Sequence, residues 1–312
     1  MTQIVSLLGK LTCWTAATVI LASVSAANAQ QSYKSPEDAM GALVKATRDD
    51  WPKGVVHVLG PDAAEIVSSG DKVADETTRE KFLAAYDAKH QVTMEGDNKA
   101  VVIIGAEDFP FPIPLTRKGA AWRFDTAAGR LEILYRRIGR NELNAIQACL
   151  AYVDAQNEYA SKDRTGSGSA TYAQRIVSRP GKKDGLYWPA APGEEESPLG
   201  ELVAHATTEG YAVGGGRTPF HGYYFKILTQ QGPTAAGGEV DYVVRGKMIG
   251  GFALVAYPAE YGNSGVMTFV VNYTGTVFQK DLGERTEKLA ERMTSFNPDQ
   301  TWKKVEVTAS AR

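Results

Sequence analysis

The chain has 312 residues, with 34 Lys and Arg against 36 Asp and Glu, a formal net charge of −2. That balance excludes a general nucleic-acid binder, which needs a basic excess to displace counterions from phosphates. At 43% hydrophobic and 22% charged residues, the composition also excludes wholesale disorder and supports a sizeable core. Its 31 glycines fit a turn-rich fold.

Residues 1–29 read as a secretory signal. Lys10 supplies the positive charge, Leu11 to Val24 the apolar stretch, and Ala27-Asn28-Ala29 the small-x-small cleavage pattern. Thr15, Thr18, Ser23 and Ser25 interrupt the apolar run, which falls short of the ~20 residues a membrane span requires. The expected location is therefore periplasmic or secreted, with no transmembrane anchor after cleavage. Of the two cysteines, Cys13 lies in the leader and Cys149 remains, so no intramolecular disulfide can form. Cys149 falls between Ile146 and Leu150 on an apolar helical face and reads as a small buried hydrophobe.

Ser35-Pro36-Glu37-Asp38 starts a helix, with Ser35 as cap, Pro36 at the first position and Asp38 closing a capping box. Met40, Leu43, Val44 and Thr47 recur at helical spacing until Trp51-Pro52. A short helical piece follows through Val55 to Leu59, then a helix from Thr77 to Lys89 with Phe82, Leu83 and Tyr86 inward. Gln91 to Glu95 and Ala100 to Gly105 flank Gly96-Asp97-Asn98-Lys99 as a hairpin. Pro110, Pro112 and Pro114 cannot donate to a ladder, so Phe109 to Leu115 is an edge strand or polyproline-like segment. Ala121 to Asp125 returns as a strand. Helices on such a meander resemble the nuclear-transport-factor-2-like cone over residues 35–138. That resemblance implies a pocket, with Trp51, Trp122 and Tyr86 as lining candidates or plain core.

The longest helical stretch runs from Arg130 to Ser161, with Gly139 as a break and Asn141 as a second cap. A boundary there gives units of 30–138 and 139–312. Asn141 to Ile146 followed by Ala155-Gln156 and Tyr159-Ala160 resembles the head-proximal helix of pilin-like proteins. Strands are expected from His221, from Gly251 to Pro258, from Gly265 to Asn272, and at Val277-Phe278. Arg136, Arg137, Arg140 and Glu142 stand where a pilin has an apolar stem, so this likeness implies a head fold and no filament assembly. The expected class is α+β in both halves: helices on a curved antiparallel sheet, then a long helix packed on an antiparallel sheet.

Six runs carry a wider resemblance: Phe111-Pro112-Ile113-Pro114-Leu115, Trp122-Arg123-Phe124-Asp125, Arg137-Ile138-Gly139-Arg140-Asn141-Glu142, Asp184-Gly185-Leu186-Tyr187-Trp188-Pro189, Ser264-Gly265-Val266-Met267-Thr268-Phe269 and Lys280-Asp281-Leu282-Gly283. With them the chain resembles domain-of-unknown-function family 2950, a group of exported bacterial proteins. Members of that family often carry an acidic, calcium-like loop after the long helix. Here the loop is Asp163-Arg164-Thr165-Gly166-Ser167-Gly168, one carboxylate beside an arginine, too few hard oxygens for calcium.

No catalytic motif stands out. His57, His90, His205 and His221 are scattered, and zinc-protease, phosphate-loop and serine-elbow patterns are lacking, so neither metal nor cofactor is expected. Ser69-Gly70-Asp71-Lys72 matches Ser-x-x-Lys without its companions and reads as a turn. Tyr187, Trp188, Tyr223 and Tyr224, with His221 and Asp184 as polar members, are candidates for an aromatic ligand surface or for a core corner. The leading expectation is an exported binding or accessory module without catalysis, its partner an envelope protein, glycan or peptide. The alternative is an atypical hydrolase of envelope polymer using His221 with Asp184.

Overall fold

A computed structural model describes residues 30–164, 166, 168–212 and 218–306. The expected leader lies outside these residues. The fold is α+β.

Helix α1 (Pro36–Asp49) begins as its sequence dictates: Ser35 Oγ accepts the Asp38 amide at 3.0 Å, and Pro36 occupies the first turn. Its apolar face buries Ala39, Met40, Leu43 and Val44. Short helices α2 (Lys53–Leu59) and α3 (Ala64–Val67) follow. Helix α4 (Lys72–Ala88) starts five residues before the expected Thr77, because Asp71 Oδ1 accepts the Val73 and Ala74 amides, both at 3.1 Å. The polar first turn of α4 hid that start. Strands β1 (His90–Met94) and β2 (Lys99–Ile104) form the expected hairpin, His90 opposite Ile104 and Met94 opposite Ala100. Strand β3 (Phe109–Pro110) pairs with β2, with β4 (Leu115–Lys118) and β5 (Ala121–Phe124) completing the order β1-β2-β4-β5. Pro110 is in β3, while Pro112 and Pro114 fall outside every strand, where a missing N–H costs no ladder bond. Ala100, Val102, Leu115, Trp122 and Phe124 join α1 and α2 in one core.

Helix α5 (Thr126–Tyr159) runs unbroken for 34 residues, about 50 Å at 1.5 Å per residue. This corrects the expected interruption at Gly139. A helical glycine costs only ~1 kcal/mol against alanine, and α5 is held at both ends. Ile133 in its first half packs on the N-terminal core. Ala145, Ile146, Cys149, Tyr152, Val153 and Tyr159 in its second half belong to the other core, which shares no buried residue with the first. Cys149 is fully buried, and burial pushes its thiol up to about 12, the behaviour of an inert packing residue. The start of α5 is set by Asp125, whose Oδ1 accepts the Ala128 amide at 3.1 Å. One turn in, Gly129 lies against Ile113, and a Cβ there would stand 2.7 Å from the Ile113 Cα. Gly129→Ala is expected to cost about 1–3 kcal/mol through overpacking despite alanine's higher helix propensity. Urea denaturation would reveal this, whereas Gly139→Ala, with open space around it, should stabilise slightly.

Beyond α5 come α6 (Gly200–Thr208), β6 (Tyr223–Leu228), β7 (Gln230–Gln231), β8 (Val240–Asp241), β9 (Val243–Val244), β10 (Lys247–Met248), β11 (Ala253–Pro258), β12 (Met267–Asn272), β13 (Val277–Asp281), α7 (Thr286–Arg292), β14 (Ser295–Phe296) and β15 (Lys303–Lys304). The main sheet has the order β15-β13-β12-β11-β6, antiparallel throughout. Every residue of β11 is buried, since both α5 and α7 pack against it. Strand β6 is the sheet's edge. A smaller sheet, β14-β7-β8, sits beside it.

Candidate functional site

A cavity of about 530 Å³ opens between α6 and the edge strand β6. Leu202, Val203 and Ala206 of α6 form one wall, and Tyr224, Phe225 and Lys226 of β6 the other. Leu254 and Tyr257 of β11 lie behind, and Tyr211 and Phe220 close one end. Apolar and aromatic groups dominate, the usual lining of a binding pocket. Lys226 is already committed: its Nζ donates to the carbonyls of Glu291 and, at 2.7 Å, Met293.

Behind Tyr211 lies the main polar cluster. Tyr211 Oη donates to Asp71 Oδ2 at 2.8 Å and accepts the His221 amide at 3.2 Å. The Gly222 amide donates to the same Asp71 oxygen at 2.9 Å. Asp71, only 1% exposed, thus receives four hydrogen bonds and ties the first turn of α4 to the entry of β6. His221 holds a left-handed backbone, φ +48°, so that Gly222 can turn tightly. A Cβ on Gly222 would meet Asn141 Nδ2 at 2.6 Å. His221 Nε2 lies 3.3 Å from Glu209 Oε2, and His205 Nδ1 lies 3.5 Å from Glu209 Oε1. Burial lowers the His221 pKa, outweighing the opposing pull of Glu209 and Asp71. The folded state therefore favours neutral His221. The stability this contributes is present above the unfolded value of ~6.5 and is lost as pH falls toward the lower folded value. Thermal midpoints of the wild type should fall more steeply below pH 6.5 than those of His221→Asn, a residue that tolerates positive φ.

The six sequence-derived candidates are distributed rather than convergent. Tyr224 lines the cavity. Tyr223 is fully buried, its hydroxyl donating to the Met267 carbonyl at 2.9 Å, and Trp188 is buried with Nε1 on the Glu195 carbonyl at 3.0 Å. Tyr187 pairs through its backbone with Ile176 and Ser178. Asp184 accepts the Arg179 amide at 2.9 Å and Nε at 2.5 Å, so the carboxylate beside His221 is Glu209. Sequence reasoning missed Asp71, Glu209, Tyr211 and all of α6. For Asp71 the missed signal was an N-cap aspartate.

The seam between the two cores explains several of the sequence motifs. Arg137 donates to the carbonyls of Glu65, at 2.8 Å, and Ile66, and to Asn263 Oδ1. Asn141 is no cap: it is 3% exposed and its Nδ2 donates to the Ser264 carbonyl at 2.9 Å. Glu142 Oε1 accepts the amides of Val266 and Met267 at 3.0 and 2.9 Å. Two of the six runs therefore bind each other, the middle of α5 gripping the loop into β12. A family described as protein of unknown function, DUF2950, has a model that matches residues 30–305. The chain belongs to this family. No curated protein and no solved structure matches it, so the cone and pilin-head likenesses carry no functional argument. In this DUF2950 chain Asp163 Oδ2 accepts the Gly168 amide at 2.7 Å, and Arg164 donates to the carbonyls of Glu158 and Tyr159 at the end of α5. Among the described residues no three His, Cys, Asp or Glu are grouped to hold a metal ion, and no helix is long and apolar enough to cross a membrane.

Proposed function

We propose that this DUF2950 protein is an exported, non-catalytic binding module of the bacterial envelope, whose ligand site is the cavity between α6 and β6. In this reading the leader is cleaved after Ala29, and residues 30–138 and 139–312 act as two units joined by α5. The observation that carries it is the cavity itself, about 530 Å³ and lined chiefly by apolar and aromatic side chains. Such a lining rewards desolvation of apolar groups and offers few uncommitted polar partners. An apolar segment of an envelope protein or peptide suits it better than a glycan. Saturable fluorescence enhancement of N-phenyl-1-naphthylamine, abolished in Val203→Trp at unchanged melting temperature, is the expected result. No enhancement with the wild type would overturn the reading.

The hydrolase alternative finds support in one observation, the approach of His221 to Glu209. An imidazole oriented by a carboxylate suits general base chemistry. Turnover of peptidoglycan or an ester panel, lost in His221→Asn with the fold intact, would establish it in place of the binding reading.

A further inference from the structure

We propose that the cavity receives an extended peptide segment of a partner protein, which adds as a further strand to the outer edge of β6. This rests on the cavity being the ligand site and names the class of ligand it takes. Successive side chains of a strand point to opposite faces, yet Tyr224, Phe225 and Lys226, three in a row, all border the cavity. A space touched by both faces of a strand lies along its edge.

The hydrogen-bond pattern says which backbone groups face that space. In an antiparallel ladder alternate residues turn their N–H and C=O toward one neighbour. The Gly222 carbonyl accepts from Ala259 on the β11 side, whereas Tyr223 exchanges both of its bonds with Phe220 on the outer side. The alternation then directs Tyr224, Lys226 and Leu228 toward β11, and Phe225 and Ile227 outward. At the far end the outer edge closes again: the Thr229 amide donates to Thr294, and its carbonyl accepts from Tyr242. Between these closures the outward N–H and C=O of Phe225 and Ile227 have no backbone partner among the described residues. From Tyr223 to Thr229 the edge spans about 20 Å at ~3.3 Å per residue, room for a short strand of four or five residues.

Four backbone groups, those of Phe225 at the cavity wall and those of Ile227 just beyond it, match the recognition mode in which main-chain bonds supply affinity and flanking pockets accept alternate side chains. A compact apolar ligand would fill the walls and leave the four groups unmet. A strand satisfies both. Its favoured sequence alternates β-branched or aromatic residues, because α6 faces one side of the added strand and Tyr224 and Tyr257 the other.

The test uses the intact protein and a capped peptide of alternating valine and threonine with lysine at each end, alongside the same peptide N-methylated at alternate residues. Amide exchange in the free protein should be fast at Phe225 and Ile227 and slow at Tyr224, Lys226 and Leu228. The parent peptide should displace N-phenyl-1-naphthylamine and slow exchange at Phe225 and Ile227 at least tenfold. One of the two N-methylation registers should weaken its binding at least tenfold while keeping every side chain. Dye binding without peptide protection of these two amides, or equal binding of both methylated registers and the parent, would overturn the strand addition and leave the cavity reading standing. Slow exchange at both amides in the free protein, or a concentration-dependent dimer that protects them, would also overturn it, by showing that this chain covers its own edge. Failure of the dye to bind would remove both proposals.

Discussion

Arg137→Met is expected to destabilise the protein by about 3–5 kcal/mol, the cost of taking one partner out of a buried charged network. The guanidinium serves three acceptors at once, the carbonyls of Glu65 and Ile66 and Asn263 Oδ1. Methionine fills much of the volume and donates nothing, so the buried Asn263 oxygen and two partly buried carbonyls lose their hydrogen bonds. Asp75, whose pKa burial already raises despite the pull of Arg137, would become still costlier to ionise. The damage has a direction as well as a size. Arg137 and Asn263 join the α3 loop to the loop before β12, so losing the guanidinium weakens the coupling of two cores that α5 and the bonds of Asp71 to Tyr211 and Gly222 still join. Urea unfolding should become less cooperative, its transition broader than that of the wild type. Arg136→Ala is the control, because its partner Glu132 lies one turn away in solvent and such a pair is worth a few tenths of a kcal/mol. A loss below about 1 kcal/mol with a transition as sharp as that of the wild type would show that the seam is held elsewhere.

What the sequence could reveal depended on the range of the interaction that decides each element. Helix α1 and the β1–β2 hairpin are settled locally, by a cap four residues from its first core side chain and by a four-residue turn between alternating runs, and both were legible. The continuity of α5 was not. Gly139 is a local stop signal overruled by contacts on both sides of it: Arg137 to residues 65 and 66, and Asn141 to residue 264. Helix α6 was invisible for another reason. Only Ala206 in it is buried, and Leu202 and Val203 face the cavity, which leaves little periodic contrast. The candidate site divides in the same way. His221 and Tyr224 were found by residue type, yet His221 finds its carboxylate in Glu209, twelve residues earlier, and not in Asp184. Asp71 reaches Gly222 across 151 positions, a separation that no local pattern announces.

Asp71→Ala is the other substitution expected to be severe, at about 3–5 kcal/mol, and it carries information about the cavity. Removing the carboxylate takes the N-cap from α4, typically ~1 kcal/mol. It also leaves the Tyr211 hydroxyl and the Gly222 amide as buried donors without an acceptor, about 1–3 kcal/mol each. Asp71→Asn retains a carbonyl oxygen for one side of the site, so it should recover part of this stability, with an amide left facing donors on the other. Tyr211 links the two consequences. Its ring lines the cavity while its hydroxyl is fixed by Asp71, so releasing the hydroxyl should loosen that wall even where the fold survives. In Tyr211→Phe, which gives up the hydroxyl, N-phenyl-1-naphthylamine affinity should fall several-fold, and in Asp71→Asn, which keeps one acceptor for that hydroxyl, it should fall by less. Wild-type affinity in both variants would mean that the Asp71 carboxylate stabilises the protein without shaping the cavity.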